Sequence, residues 1–303
     1  MRRRPPGGGA SALVALVTAA ALAACERPPP ATRGVPAEAD VLVRAWLAGA
    51  EPPAARWAPR PLVDRGLRAL GAEVYRVRCT PCHGVNGNGR GPHAPRLSVP
   101  PRDFTTGVYE LRSTPSGSLP ADEDLFRSVS RGLHGSAMIP WSWLGEQERW
   151  GAIEHVEAFS PRFREEGPGQ PVEVPPAPAE AAALAARGAA AYVRAGCPAC
   201  HGPTGAGDGP SVPTLRRDGG QPIRPRPFSD GLFLRGSSLA ELWLTLQTGL
   251  DGTPMPSYAA LAPDDLWAIG VHVRALAAPG PGRTPERPDP EEALGHRIDI
   301  QGN

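Results

Sequence analysis

The chain has 303 residues, which is enough for two domains of ordinary size and the segments that connect them. Hydrophobic residues make up 41%, which allows packed cores, while 39 prolines and 36 glycines indicate much irregular backbone between short helices. The formal net charge is +1, and the absence of a clustered basic face argues against nucleic acid as a partner.

The N-terminus has the organisation of a bacterial export signal. Three arginines at positions 2–4 precede an apolar run at positions 12–24, which is too short to cross a bilayer as a helix. The run ends Leu22-Ala23-Ala24-Cys25 and resembles the bacterial lipoprotein box, in which the cysteine is lipidated. We therefore predict a lipoprotein signal peptide over residues 1–24 and lipidation of Cys25. An ordinary signal peptide with a chance cysteine is the alternative.

Lipidated Cys25 would anchor the protein to a bilayer at the periplasmic side. Glu26 rather than aspartate follows it, which by resemblance to enteric sorting signals favours the outer membrane over the inner one. Residues 25–61 are rich in proline and are predicted to form a tether, with one short helix over Ala39–Leu47.

Four of the five cysteines lie in two Cys-x-x-Cys-His runs. This run is the attachment signal for c-type haem: two thiols on one helical turn add to the two vinyl groups of a porphyrin, and the adjacent imidazole becomes the proximal iron ligand. A thioredoxin-like dithiol does not need the histidine, and a four-cysteine zinc site brings its pairs within about 15–20 residues of each other. Here the pairs are 118 residues apart. The predicted haem-binding residues are Cys79, Cys82 and His83 in the first run, and Cys197, Cys200 and His201 in the second.

An internal repeat extends beyond these runs. The glycines, prolines and leucine between His83 and Leu97 recur 118 positions later, and such glycines suit a loop that bends sharply beside a flat macrocycle. A second block, Gly132–Met138, matches Gly249–Met255 at an offset of 117. The two halves are therefore copies of one domain, and each copy has its own haem.

Together these motifs resemble those of the c-type cytochromes over most of the chain after the tether. The resemblance implies an all-α protein of two tandem cytochrome c-like domains, each a small helical fold wrapped around one covalent haem. The predicted boundaries are 62–166 for domain 1, 167–178 for a Pro-rich linker, 179–278 for domain 2 and 279–303 for a flexible tail.

Three helices are predicted in each domain, one before the attachment run, one before the methionine and one that closes the domain. Asp122 is predicted to cap the second helix of domain 1, and Pro263 to begin the last helix of domain 2. The predicted ranges are Val63–Val77, Asp122–Arg131 and Gln147–Phe159 in domain 1, and Ala181–Ala195, Leu239–Thr248 and Asp264–Ala277 in domain 2.

Met138 and Met255 are predicted to be the sixth iron ligands. Apart from Met1 they are the only methionines, and each lies in a Gly-rich loop ahead of a helix, as in the family. Ligation by histidine and methionine raises the potential relative to two histidines. The alternative is that both methionines fill gaps in the core.

Other histidines are rival ligands or packing residues. His93 and His134 occur only in domain 1, and His134 lies four residues before Met138, so ligand substitution by His134 stays open. His155 and His272 lie on helical patterns at positions where similar cytochromes often carry an aromatic residue, which favours a packing role.

The proximal imidazole usually donates its second N–H to a backbone carbonyl. In similar cytochromes that carbonyl belongs to a proline after the attachment loop. The resemblance therefore implies Pro95 and Pro213, with Pro92 and Pro210 as alternatives.

The pattern predicts an electron carrier rather than an enzyme, with redox proteins as its partners and haem supplying the redox step. A dihaem cytochrome c peroxidase is the alternative from another class, because such an enzyme needs a releasable sixth ligand. A third possibility is a cytochrome subunit of a larger respiratory complex, which has the same chemistry and other partners.

Overall fold

The computed structural model describes residues 36–47, 59–178 and 181–277. These ranges are helical and contain no β-sheet, which confirms the all-α class, and none of their helices is long and apolar enough to cross a membrane. The predicted lipidation site Cys25 and the predicted tail lie outside the described residues. The helices are α1 (Ala37–Leu47), α2 (Arg65–Val74), α3 (Thr80–His83), α4 (Asp122–Arg131), α5 (Glu146–Glu157), α6 (Pro161–Glu166), α7 (Ala181–Arg194), α8 (Pro198–His201), α9 (Leu239–Thr248) and α10 (Pro263–Ala277).

In each domain the helix before the attachment run crosses the last long helix at a contact between small residues. In domain 1, a Cβ atom on Gly71 of α2 would overlap the carbonyl of Gly151 in α5. In domain 2, a Cβ atom on Gly188 of α7 would overlap the carbonyl of Ala268 in α10. The backbones approach this closely because no side chain separates them. The crossing places each attachment run beside the helix that closes its domain.

The two domains enter the attachment run by different routes. In domain 1 a π-helical turn, Tyr75–Cys79, follows α2, so the predicted helix Val63–Val77 is divided. In domain 2, α7 ends at Arg194, Gly196 adopts a φ of 77°, and the Cys197 N–H donates to the Tyr192 carbonyl at 3.1 Å. Both routes end in one helical turn, α3 or α8, which carries the second cysteine and the histidine.

Helices α4 and α9 have the predicted bounds, and α10 begins at Pro263 as predicted. The predicted cap Asp122 is wrong, because the cap residue of α4 is Ala121. The Asp124 carboxylate accepts the N–H of Ala121 at 3.0 Å and that of Ser113 at 2.7 Å, while Asp122 pairs with Arg60 at 2.9 Å. A carboxylate in the first turn thus stabilises the helix start without occupying the cap position.

The segment predicted as a linker, residues 167–178, packs against both domains. The Gly169 N–H donates to the Pro120 carbonyl at 3.1 Å, and the Val172 N–H donates to the Ser113 carbonyl at 2.8 Å. Val172 and Val174 contact the core of domain 2. The segment is therefore a strap that is bonded to domain 1 and packed on domain 2.

The short helix predicted within the tether forms as α1, and it packs on domain 1. Trp46 is only 3% exposed, and its ring stacks on His134 with centroids 4.8 Å apart. The same tryptophan shares a core cluster with Ile139, the residue after Met138. Helix α1 therefore covers one side of the loop that leads to the predicted ligand.

Buried arginines join the two domains. Arg112 of domain 1 is fully buried, donates to the Thr248 carbonyl at 2.9 Å and pairs with Asp251 at 2.7 Å. Arg235 of domain 2 donates to the Arg112 carbonyl at 2.5 Å. Burying a guanidinium group is costly unless its N–H groups are paired, and these bonds pair N–H groups of both arginines across the boundary between the domains.

The helix crossing in domain 2 makes a prediction about stability. Gly188→Ala should lower the free energy of unfolding by about 1–3 kcal/mol, because the new methyl group must push α7 away from α10. Gly270→Ala on α10 is the matched control, since its Cβ atom would meet nothing closer than 3.6 Å and alanine favours helix by up to about 1 kcal/mol. Urea unfolding of both haem-loaded variants measures the difference, and equal effects would contradict the close crossing.

Candidate functional site

In domain 2 the predicted haem-binding side chains line one cavity. Cys197, Cys200, His201 and Met255 all face a space of about 560 Å³. Helix α8 presents the second cysteine and the histidine, and α7 and α10 contribute apolar walls. The structure therefore brings together four side chains that are spread over 59 residues of sequence.

The methionine loops of the two domains have the same conformation. In the Met138 loop (residues 132–138) the Leu133 N–H donates to the Met138 carbonyl at 2.8 Å, and in the Met255 loop (residues 249–255) the Leu250 N–H donates to the Met255 carbonyl at 3.1 Å. Both methionine N–H groups lie 3.2 Å from a hydroxyl two residues earlier. This equivalence supports the same predicted role for Met138 as for Met255, that of the sixth iron ligand, and in domain 1 that role remains a prediction.

The proximal imidazole of domain 1 is held by a backbone carbonyl and an aromatic ring. His83 Nδ1 lies 3.1 Å from the Arg102 carbonyl oxygen, which leaves Nε2 for iron. The Phe104 ring stacks on the imidazole with centroids 4.4 Å apart. In domain 2 Phe228 stacks on His201 in the same way, at 4.9 Å.

The acceptor predicted for His83 is therefore wrong. Pro95 is exposed in a short 3₁₀ turn, and the chain returns to the imidazole only at Arg102. Pro213 is likewise exposed, and His201 Nδ1 has no hydrogen-bond partner among the described residues. The alternatives Pro92 and Pro210 are exposed as well. The error arose because the position of a proline after the loop does not show where the chain passes under the imidazole.

Sequence reasoning missed a short motif that supports the imidazole. Pro101-Arg102-Asp103-Phe104 recurs as Pro225-Arg226-Pro227-Phe228, but at an offset of 124, because domain 2 has six more residues before it. The Phe104 N–H donates to the Gly87 carbonyl at 2.7 Å, and the Phe228 N–H donates to the Gly205 carbonyl at 2.8 Å. These bonds attach the Pro-Arg-x-Phe motif of each domain to the glycine-rich loop that follows the proximal histidine.

A tyrosine before each attachment run was missed as well. The Tyr75 hydroxyl donates to the Gly84 carbonyl at 2.8 Å, and the Tyr192 hydroxyl donates to the Gly202 carbonyl at the same distance. Each of these glycines directly follows the proximal histidine. The bond therefore fixes the end of the turn that carries the imidazole. The repeated tyrosine was the available signal.

Burial favours the neutral forms of both proximal imidazoles and of the Cys79, Cys82 and Cys197 thiols. Desolvation lowers the pKa of His83 and of His201 to about 4, so each imidazole has a lone pair free for a metal at neutral pH. Burial also raises the pKa of Cys79 to about 12 and raises the pKa of Cys82 and of Cys197.

None of the other histidines in the described residues lines the domain 2 cavity, and each has contacts of its own. His155 packs beside Tyr75 at 4.8 Å, and His272 packs beside Tyr192 at 5.2 Å, which confirms their packing role. His93 precedes the 3₁₀ turn at residues 94–96. His134 stacks on Trp46, so the ring of the strongest rival ligand is engaged by α1.

Known cytochrome families resemble this chain over both domains. A family model described as "Cytochrome c" matches residues 185–277, and one described as "Cytochrome C oxidase, cbb3-type, subunit III" matches residues 67–156. A chain of the Kuenenia stuttgartiensis reducing HAO-like protein complex Kustc0457/Kustc0458 is 38% identical, with a TM-score of 0.68, over 73% of this chain and 100% of that one. This chain belongs to the c-type cytochrome family. No curated protein matches it.

The residues of this c-type cytochrome fit haem. Two matched domains, each with a Cys-x-x-Cys-His run, support two covalent haem c groups. The domain 2 cavity has apolar walls, and its lining also includes four arginines (Arg217, Arg224, Arg226 and Arg235) and one glutamate, Glu110, so the lining is net positive, which suits the two carboxylates that a haem carries. Cytochrome c domains also imply an extracytoplasmic location.

Each attachment run should act independently on covalent binding. Cys82→Ala should reduce or abolish covalent attachment in domain 1 and leave haem 2 attached, because the lost thiol serves one haem only; Cys200→Ala should do the reverse. Intact mass of the denatured protein measures this, with two haems expected on the wild type and about one on each variant. Haem that extracts from the wild type would contradict covalent attachment.

Proposed function

We propose that this c-type cytochrome is an electron-transfer protein whose two His/Met haems relay single electrons on the periplasmic side of a bacterial membrane. The observation that carries the proposal is the domain 2 cavity, where His201 and Met255 face one space with both attachment cysteines. The identical hydrogen bonds of the Met138 loop support the same ligand pair in domain 1. A carrier needs both axial positions filled, and two equivalent methionine loops meet that need.

The bound haem supplies the one-electron chemistry, and the chain sets its environment. His83 is held with one nitrogen toward the Arg102 carbonyl, so that the other can bind iron. A methionine thioether is a soft ligand that favours ferrous iron and raises the potential. Phe104 stacks on His83 and the Tyr75 hydroxyl donates to the Gly84 carbonyl, so both residues support the attachment turn.

We also propose that Cys25 carries a lipid, so that the protein is anchored at the periplasmic face, with the outer membrane weakly favoured by Glu26. The proposed partners are redox proteins, one that donates electrons to this cytochrome and one that accepts electrons from it. The relative from the reducing HAO-like protein complex supports a second form of the proposal, in which this chain is the cytochrome subunit of a larger complex.

Single ligand variants test the electron-transfer role. Met138→His or Met255→His should keep the altered haem low-spin and lower its potential, because imidazole favours ferric iron more than a thioether does. Alanine at either position should open that iron and introduce weak peroxidase activity. Redox titration and spin-state spectra of each variant beside the wild type measure these effects. A wild type that has a high-spin iron and turns over peroxide would replace the carrier with the dihaem peroxidase.

The anchor has a separate test. Cys25→Ser should convert the protein from a salt-resistant, detergent-extractable membrane form to a soluble or unprocessed form, because serine lacks the thiol that carries the lipid. Stable anchoring needs more than one acyl chain, and a lipoprotein cysteine carries several. Fractionation of cells with high-salt and detergent extraction measures the distribution. Unmodified wild-type protein in the soluble periplasm would contradict lipidation.

A further inference from the structure

The arginine of each Pro-Arg-x-Phe motif reaches into the other domain. The Arg226 guanidinium, from the loop under His201, donates to the carbonyls of His134 and Gly135, the latter at 2.8 Å. Both acceptors belong to the Met138 loop of domain 1. In the opposite direction, a Cβ atom on Gly252 of the Met255 loop would lie 3.1 Å from Arg102 Nη1.

The two arginines differ in their partners. Arg102 pairs with the Glu110 carboxylate, and the same carboxylate pairs with Arg217. Arg226 has no carboxylate within 4 Å among the residues that the structure describes, and its two terminal NH2 groups donate to the two loop carbonyls. A planar guanidinium holds two adjacent carbonyls in a fixed geometry, which an ammonium cannot do.

We propose that Arg226 is a cross-domain positioning residue: from the proximal side of haem 2 it holds the Met138 loop, and thereby the sixth ligand, of haem 1. The proposal rests on the proposed function, because it assumes that Met138 binds iron. If Met138 binds iron, the Arg226 charge would also lie on the Met138 side of haem 1, where a cation favours the ferrous state. Domain 1 therefore depends on domain 2 for its ligand geometry and for part of its potential.

Arg224 provides a matched control. It lines the same domain 2 cavity as Arg226 and is two residues away, but its Nε atom donates to the Gly207 carbonyl of its own domain at 3.2 Å. Arg224→Gln should therefore disturb domain 2 alone. Arg226→Gln removes the same charge and is too short to reach both loop carbonyls, so only this variant should alter domain 1.

Hydrogen–deuterium exchange of the haem-loaded full chain is the first readout. Arg226→Gln should speed exchange of the peptide that covers residues 132–138 by about tenfold, as expected for the loss of two modest hydrogen bonds. Arg226→Lys should give an intermediate effect, and Arg224→Gln should match the wild type. Wild-type exchange of this peptide in Arg226→Gln would overturn the proposal.

The ferric Met-to-iron charge-transfer band gives the second readout, in a Met255→His background where any such band arises from domain 1. Adding Arg226→Gln should weaken that band and lower the potential of haem 1, and adding Arg224→Gln should change neither. If the background itself lacks the band, Met138 is not the ligand and the proposed function fails, whatever the exchange data show. If the band and potential persist in Arg226→Gln, the positioning role fails while the proposed function stands.

Discussion

The close approach of the first and last long helices in each domain is the contact on which the haem sites depend. Gly71 against Gly151, and Gly188 against Ala268, let the two backbones touch. The attachment run follows one of these helices, directly in domain 1 and after a turn at Gly196 in domain 2, so the crossing sets where the cysteines and the imidazole lie. The tyrosine hydroxyl that bonds to Gly84 or Gly202 then fixes where that turn ends.

The all-α fold and the repeat could be predicted because both depend on the spacing of residues that are close together in the sequence. The glycines after each histidine recur at a constant offset of 118, and the methionine blocks recur at a constant offset of 117. The Pro-Arg-x-Phe motif escaped because six inserted residues shift its offset to 124. The hydrogen-bond acceptor of His83 could not be predicted for a different reason. Arg102 lies 19 residues away in sequence, and only folding brings its carbonyl to the imidazole ring.

The linker and the helix within the tether show that proline-rich sequence can pack on a domain. The linker was predicted from its prolines as a spacer, and the N–H groups of Gly169 and Val172 are bonded to domain 1. Valines in the same segment pack on domain 2, and Trp46 of α1 is buried against His134. Proline removes donors and fixes φ, which suits an extended strap on a surface as well as a loose chain.

Position 134 and its equivalent 251 show what duplication has done to this protein. His134 stacks on Trp46 of α1, whereas Asp251 pairs with the buried Arg112 of the neighbouring domain. Each copy has adapted this position to the neighbour it meets, one to the preceding helix and the other to its sister domain. An aspartate at position 134 would therefore lie against the Trp46 ring, and a histidine at position 251 would remove the carboxylate that pairs with the buried Arg112.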